Sequence, residues 1–366
     1  AAQLNTPFSL KGQRLPQLAG QLDFELASST FEGKPLAGKG ELRLDGSHLA
    51  HADLALEIDG NRLSAKGRYG KPGDALAVHL DAPSLATLGH GLGGRLKLDG
   101  VLRGSVEHPA GEFELLGEKL GFGTLRVDTV NGRGRLAEGR SGAIALTLGL
   151  TGLGRIAEKE ALVHRASFVF DGSRAANTAR LEVIGRGAQS GVLSLTGQLG
   201  DGPRWEGRLD SLEVRGDYPA VLLAPAPLLL SRDVMRLGTA ELRGGSGGRY
   251  RLDETRWQAR HLVARGSMGG VPVGVILDPT TRAVKSRGDS LQIGGEWDVD
   301  IAEQVNGLVR IYREKGDLEL QGDSPVRLGL DDLQLTLSAA ANRLAFGFSA
   351  HGSRLGRASG AGTALA

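Results

Sequence analysis

The chain has 366 residues, of which 57 are glycine, none is cysteine and only 4% are aromatic. Its net charge is +2, and no basic block with interleaved aromatic residues occurs, which argues against a nucleic-acid-binding protein. The lack of cysteine excludes disulfides, thiolate metal sites and cysteine nucleophiles. Because aromatic rings supply much of the bulk of a thick core, their scarcity predicts a thin, extended structure packed by aliphatic side chains.

The first clear pattern is an alternation of apolar and other side chains in residues 54–58 and 63–67. Alternation with a period of two is typical of a strand with one buried face. Gly60-Asn61 lies between the two runs and predicts a two-residue hairpin turn. In that hairpin, residue 58 would face 63, 56 would face 65 and 54 would face 67, so that one face is apolar.

The same alternation recurs along the chain, and each run predicts a strand. The runs are 76–80, 96–98, 144–150, 193–195, 271–277, 291–301 and 344–348. Asp-Gly and Asn-Gly pairs between them indicate turns, at a spacing of about 10–14 residues for a strand and its turn. We therefore expect an antiparallel meander of roughly 25–30 strands with one apolar and one polar face.

The run from Val326 to Leu337 changes parity at Asp331-Asp332. A hairpin there would pair residue 330 with 333, 328 with 335 and 326 with 337. Asp-Asp is a poorer turn than Asn-Gly, so a β-bulge is the alternative. Either arrangement keeps the apolar side chains on one face.

Helical signals are weak. Residues 82–92 predict one short turn with Ser84 as N-cap and a glycine at its end, and Ser231–Leu237 predicts another. The most apolar stretch, 221–230, contains Pro225 and Pro227 and is too short to span a membrane. Residue 1 does not resemble a natural start, so we expect a piece of a longer protein.

No motif predicts chemistry. The glycine-rich stretches 185–191 and 244–248 are each followed by a strand pattern rather than a helix, which indicates turns. His48 and His51 have no third ligand nearby and are expected to be exposed. We predict no catalytic residue, no metal and no cofactor. The tryptophans at 205, 257 and 297 could either anchor sheet packing or line an apolar channel.

A sheet of this length would extend on the order of 120–140 Å, and such sheets twist and curl. No amphipathic helix is predicted to cover the apolar face. That face must therefore fold over lengthwise or be covered by something other than protein.

Three segments, 60–109, 193–216 and 288–346, resemble the TamB family, with phrases such as "GEWD" and "GDLEL". That family belongs to the AsmA-like group of bridge-like lipid transporters of Gram-negative envelopes. The resemblance implies an all-β fold: a long curled antiparallel sheet, β-taco-like and U-shaped in section, with an apolar inner groove and few short helices.

The resemblance also implies a periplasmic segment of a longer chain. The inner-membrane anchor and the region that contacts TamA, an outer-membrane barrel protein, would both lie outside this chain. We expect residues 1–366 to form one continuous segment, with 218–237 as the candidate internal boundary.

The first functional hypothesis is a conduit that shields phospholipid acyl chains between the two membranes. A row of residues would form the path, rather than one site. The predicted lining is Leu54, Leu56, Ile58, Leu63, Ile144, Leu146, Leu148, Val271, Val273, Val275, Leu291, Ile293, Trp297, Val299, Val309, Ile311, Val326, Leu328, Leu330, Leu333, Leu335, Leu337, Leu344, Phe346 and Phe348.

Two alternatives remain open. The chain could be a chaperone-like module that pairs its sheet edge with strands of outer-membrane or autotransporter proteins. It could also be a structural spacer with a sealed interior. An enzyme is not expected.

Overall fold

The computed structural model describes residues 2–3, 7–13, 19–105, 108–200, 202–273, 291–320 and 326–365. The chain divides into two compact units, residues 1–187 and 188–366, called unit 1 and unit 2 below. Both are antiparallel β-structures, so the predicted all-β class with few short helices is confirmed. That the chain is one continuous segment stays a prediction.

Unit 1 is a meander in which β2 to β12 each pair antiparallel with the next strand, while β1 pairs with the end of β3. Its strands are β1 Ala2–Gln3, β2 Phe8–Gln13, β3 Ala19–Phe31, β4 Lys34–Asp45, β5 His48–Ile58, β6 Asn61–Tyr69, β7 Ala75–Ala82, β8 Leu92–Gly104, β9 Pro109–Phe122, β10 Leu125–Leu136, β11 Ala143–Arg155, β12 Val163–Ser173 and β13 Asn177–Gly185.

Unit 2 is also antiparallel. Its strands are β14 Ser190–Leu199, β15 Arg204–Arg215, β16 Ala220–Leu222, β17 Ala226–Ser231, β18 Val234–Leu237, β19 Ala240–Gly244, β20 Arg249–Gln258, β21 His261–Pro272, β22 Gln292–Ile301, β23 Val305–Lys315, β24 Glu319–Leu320, β25 Val326–Arg327, β26 Leu330–Ala340, β27 Arg343–Gly352 and β28 Gly356–Leu365. β15 pairs with both β16 and β17, and β20 pairs with both β18 and β19.

The hairpin between β5 and β6 exists, but its predicted register is wrong. Its turn is Asp59-Gly60 rather than Gly60-Asn61, so Ile58 faces Asn61 and Leu56 faces Leu63. Both turn residues have positive φ, 47° and 84°, which a type I′ turn requires and which Asp-Gly supplies more readily than Gly-Asn. The side chain of Asn61 instead donates hydrogen bonds to the carbonyls of Ile58 and Ser84.

Asp331 marks a β-bulge, not a hairpin. Leu330 faces Gly352 and Asp332 faces His351, which leaves Asp331 as the extra residue of a continuous β26. The carboxylate of Asp317 accepts hydrogen bonds from the amides of Leu318, Gly329 and Leu330. These bonds fix the backbone at the start of β26, so that Val326 and Arg327 do not continue the β26 ladder. Val326 pairs with Leu320 in the small β24–β25 ladder.

The helical predictions were half right. A short 3₁₀ helix covers Leu85–Leu88 between Ser84 and Gly89, although the Ser84 side chain makes no capping hydrogen bond. The turn predicted at Ser231–Leu237 is wrong, because residues 234–237 form β18 and pair with β17 and β20. The glycine-rich stretches at 185–191 and 244–248 do connect strands.

Irregular residues line up across neighbouring strands of unit 1. Gly94, Lys119, Asp128, Gly152 and His164 lie at adjacent positions of β8 to β12, where the ladders skip or shift. Three of them have positive φ: Gly94 (88°), Lys119 (49°) and Gly152 (66°). Aligned bulges bend a sheet, so we call this line the unit 1 crease.

A second line of irregularities crosses β15 to β20 in unit 2. It runs through Asp210, residues 223–225, residues 238–239 and Asp253. A compact apolar cluster lies along this line. It is built on Leu209, Leu222, Ala226 and Ala240, with Leu193, Leu195, Leu212, Leu237, Leu242 and Leu252 packed around them.

Candidate functional site: an apolar face

In unit 1, strand register assembles apolar side chains into rows that run across the sheet. The central row takes one residue from each strand of β3 to β13, and each faces the next in the ladder. It consists of Leu26, Gly38, Leu56, Leu63, Leu80, Leu98, Leu115, Gly132, Leu148, Phe168 and Leu181.

A parallel row lies two residues along each strand. It consists of Phe24, Gly40, Leu54, Ala65, Val78, Gly100, Phe113, Gly134, Leu146, Phe170 and Ala179. At about 4.8 Å per strand, the two rows extend roughly 50 Å. We call the surface that they form the apolar face.

Glycine within these rows makes room for a large neighbour. A Cβ added at Gly40 would lie 2.6 Å from Cε1 of Phe24, and one added at Gly134 would overlap the Phe113 ring. In each case the ring faces the glycine across the ladder and lies over its backbone. Because each ring lies flat over a glycine, it covers the backbone of the neighbouring strand and keeps the apolar face continuous.

The apolar face is neither sealed nor fully exposed. Every residue of the central row is half-buried. Each side chain therefore packs against its neighbours in the sheet and leaves apolar surface uncovered. A face that belonged to a closed core would instead be built from buried side chains, as the Leu209 cluster of unit 2 is.

The opposite face of unit 1 is charged. Cross-strand ion pairs lie on it, including Asp53–Lys66 at 2.9 Å and Arg103–Glu112 at 3.1 Å. The hydrogen bond and charge of Lys66 hold the pKa of Asp53 below its usual value. A depression of about 690 Å³ on this face is lined by both acidic and basic residues. Exposed pairs of this kind fix register and solubility more than they stabilise.

The predicted lining residues of unit 1 fall on or next to the apolar face. Leu54, Leu56, Leu63, Leu146 and Leu148 lie in the two rows. Ile58 and Ile144 lie on the same side of β5 and β11, where Ile58 faces the buried Leu36 and Ile144 is itself buried.

In unit 2 the predicted residues divide into two groups. One group belongs to a second cluster, in which Val271, Leu291, Ile293 and Leu330 are buried and Val273, Ile311, Leu328 and Leu333 pack around them. The other group is more open: Leu335, Leu337, Phe346 and Phe348 are exposed, while Trp297, Val299, Val309 and Leu344 are half-buried. Val275 lies outside the described residues.

The tryptophans and histidines also differ from one another. Trp205 is buried over Gly197 and Gly207, Trp297 is half-buried over Gly266, and Trp257 is exposed. The prediction that His48 is exposed is wrong. Its ring is only 13% exposed, and its Nε2 lies 3.0 Å from the Asp74 carboxylate.

Sequence reasoning left some members of the rows out of the predicted lining. Phe113 lies between two glutamates, and Val169 interrupts the alternation between Phe168 and Phe170, so none of the three was predicted. The signal that could have found Phe113 is glycine at a period of two in the adjacent strand, as at Gly132 and Gly134. That Gly134 faces the Phe113 ring can be recognised only when the register of the two strands is known.

Comparison with known proteins decides the family. Residues 2–226, more than half of the chain, match the model for the TamB N-terminal domain. The chain belongs to the TamB family. The match takes in almost all of unit 1 and the first strands of unit 2. No curated protein and no solved structure matches the chain.

TamB-family proteins take part in the translocation and assembly module of the cell envelope, where they work with TamA, and the family is not one of enzymes. Among the described residues there is no helix long and apolar enough to cross a membrane.

Proposed function

We propose that this TamB-family chain shields phospholipid acyl chains on its apolar face as lipids pass between the inner and outer membranes. The observation that carries the proposal is the pair of rows in unit 1. Eleven successive strands place an apolar side chain or a glycine at both positions, and all of the central row is left half-buried.

The energetic need is large. Exposing one acyl chain of about 16 carbons to water costs about 13 kcal/mol, at roughly 0.8 kcal/mol per methylene. A continuous apolar strip removes most of that cost at every point along it. Because neither row contains a polar side chain, no hydrogen bond would hold a chain in place.

The proposal includes a setting. The chain would work in the periplasm, joined to the inner membrane by an anchor and to TamA by a region, both outside these 366 residues. Phospholipids would be its cargo, and no cofactor would be needed.

Photo-crosslinking in cells tests the proposal. A benzophenone amino acid at Leu146 should yield phospholipid adducts, whereas the same group at Ala145, an exposed position on the charged face next to it, should not. Val299 and Asp298 offer the same contrast in unit 2. Equal lipid yields from both faces, or none from Leu146 and Val299, would refute the proposal.

Strand pairing with client proteins could not use the inner strands of unit 1. β4 to β12 are hydrogen-bonded to a neighbour on both sides, so their ladders are already occupied. A client strand would find no free ladder among them.

A further inference from the structure

One end of the unit 1 strands exposes large apolar side chains. Phe122 and Leu125 close the β9–β10 hairpin and are 71% and 43% exposed. Ile156 and Leu162 lie at either end of the connection between β11 and β12 and are 58% and 42% exposed. The Ile156 amide donates a hydrogen bond to the Thr124 carbonyl, which joins the two turns. We call these four residues the tip patch.

The connection that presents Ile156 and Leu162 is fixed by two arginines. Arg126 donates to the carbonyls of Glu158 and Lys159, the latter at 2.9 Å. Arg186 donates to the carbonyls of Glu160 and Ala161, at 2.9 and 3.1 Å. Four successive carbonyls are therefore satisfied by side chains from elsewhere. These hydrogen bonds hold the connection in one conformation with its two apolar residues exposed. The segment therefore does not need to be ordered when a partner binds.

The opposite ends of the same strands are different. Residues 137–142 read Ala-Glu-Gly-Arg-Ser-Gly and residues 173–176 read Ser-Arg-Ala-Ala. Neither turn contains a large apolar residue. The tip patch is thus not a general property of the turns in this sheet.

The free charge around the tip patch is positive. Lys119 and Lys159 are exposed and make no ion pair within the described part of the chain. The nearby carboxylates are neutralised: Glu158 and Glu160 pair with Arg186, and Glu118 pairs with Arg95. A partner would therefore meet apolar side chains flanked by unpaired cations.

We propose that the tip patch docks on the surface of an anionic phospholipid bilayer. The patch lies on turns at the ends of strands, and protruding apolar tips suit a deformable apolar layer. The two lysines complement anionic head groups at the same surface. The proposal does not depend on the function proposed for the apolar face, because it concerns residues at the strand ends and needs no lipid to move along the rows.

Vesicle flotation with the full chain tests this docking. We expect the chain to float with vesicles of phosphatidylglycerol and phosphatidylethanolamine, and not with phosphatidylcholine alone. Phe122→Ser/Ile156→Ser and Lys119→Glu/Lys159→Glu should each lower the partition coefficient about tenfold or more. Leu116→Ser is the matched control, because Leu116 is 60% exposed but lies within β9, and it should bind as the wild type does.

A second measurement does not rely on the folding of a serine variant. The chain has no cysteine, so Phe122→Cys and Leu116→Cys each accept one NBD fluorophore. Anionic vesicles should shift the emission to the blue at position 122 and leave it unchanged at 116. No flotation of the wild type, equal flotation of the Phe122→Ser/Ile156→Ser variant, or the same response at both labels would overturn the proposal. A protein docking site would give the first of these results.

Discussion

The apolar face of unit 1 and the Leu209 cluster of unit 2 use the same alternating sequence pattern to different ends. In unit 1 the rows cross regular ladders, so that an inner side chain such as Leu98 faces one partner on each side, and the whole central row stays half-buried. In unit 2, irregularities in β15 to β20 bring apolar residues together until Leu209 and Ala226 are buried. In these two regions, regular register accompanies an open surface, and the irregular strands of unit 2 accompany a closed core.

The largest expected effect comes from placing a charge in each region. Leu146→Arg should leave unit 1 folded, because a half-buried position lets the guanidinium reach water. Leu209→Arg should unfold the cluster, because it buries an unpaired charge. Circular dichroism and urea denaturation measure the difference.

The Leu146→Arg variant also sharpens the functional proposal. Lipid adducts from a crosslinker at Leu148, which faces the same side of β11, should fall at least about tenfold in Leu146→Arg. Thr147→Arg, on the charged face, is the control and should leave the yield unchanged. Undiminished adducts in Leu146→Arg would contradict a continuous apolar path.

Truncation of matched leucines should give the next largest difference. Leu209→Ala should lower the free energy of unfolding by about 2–5 kcal/mol, as expected where a cavity cannot collapse. Leu98→Ala, in the central row, should cost about 1 kcal/mol because its side chain is only partly removed from water. Similar losses at the two positions would mean that the rows are packed as tightly as the cluster.

The ring-over-glycine pairs predict a smaller effect. Gly134→Ala should destabilise unit 1 by about 1–3 kcal/mol, because the new methyl group displaces the Phe113 ring. Gly347→Ala is the control: a Cβ there meets nothing closer than the Gly360 oxygen at 4.0 Å. That variant should be neutral or slightly stabilising. Thermal denaturation distinguishes the two.

The smallest expected effect concerns Asp317, beside the second cluster of unit 2. Desolvation would raise its pKa, but hydrogen bonds from the amides of Leu330, Gly329 and Leu318 outweigh it and lower the pKa below its usual value. Because the folded-state pKa is depressed, the carboxylate stabilises the fold above the ordinary value near pH 3.9. That contribution is lost as the pH falls through the folded-state pKa.

Asp317→Asn should therefore lower the urea midpoint modestly at pH 7, and the difference from wild type should shrink toward pH 3. Asp332→Asn, at an exposed position of β26, is the control and should leave the midpoint unchanged. A difference that stays constant with pH would show that the charge of Asp317 is not what matters.

Much of this fold follows from the sequence. Period-two runs such as 144–150 and 344–348 predict strands, and these lie in β11 and β27. Asp59-Gly60 shows the limit: the hairpin was predictable, but two overlapping turn pairs differ by one residue and lead to different partners. Choosing between them required weighing the positive φ that each turn position demands.

The candidate site was predictable in kind and not in detail. Alternation identifies Leu146 and Leu148 as members of an apolar face, because side chains two apart share a side. It does not identify Phe113 opposite Gly134, since that contact depends on the register of β9 and β10. Nor does alternation show that Leu209 is buried whereas Leu98 is half-buried, because burial of Leu209 depends on bends that involve several strands at once.

The unit 1 crease also limits how such a chain can change length. Lys119 is an extra residue in β9, so successive positions on the apolar side of the strand are three residues apart there, at Gly117 and Leu120. Because of this extra residue, Leu120 and Phe122 lie on the same side of the strand as Leu115. Deleting that one residue would move the side chains at the end of the strand to the opposite face of the sheet. Insertions and deletions in related chains should thus collect at turns and along such lines, or come in pairs.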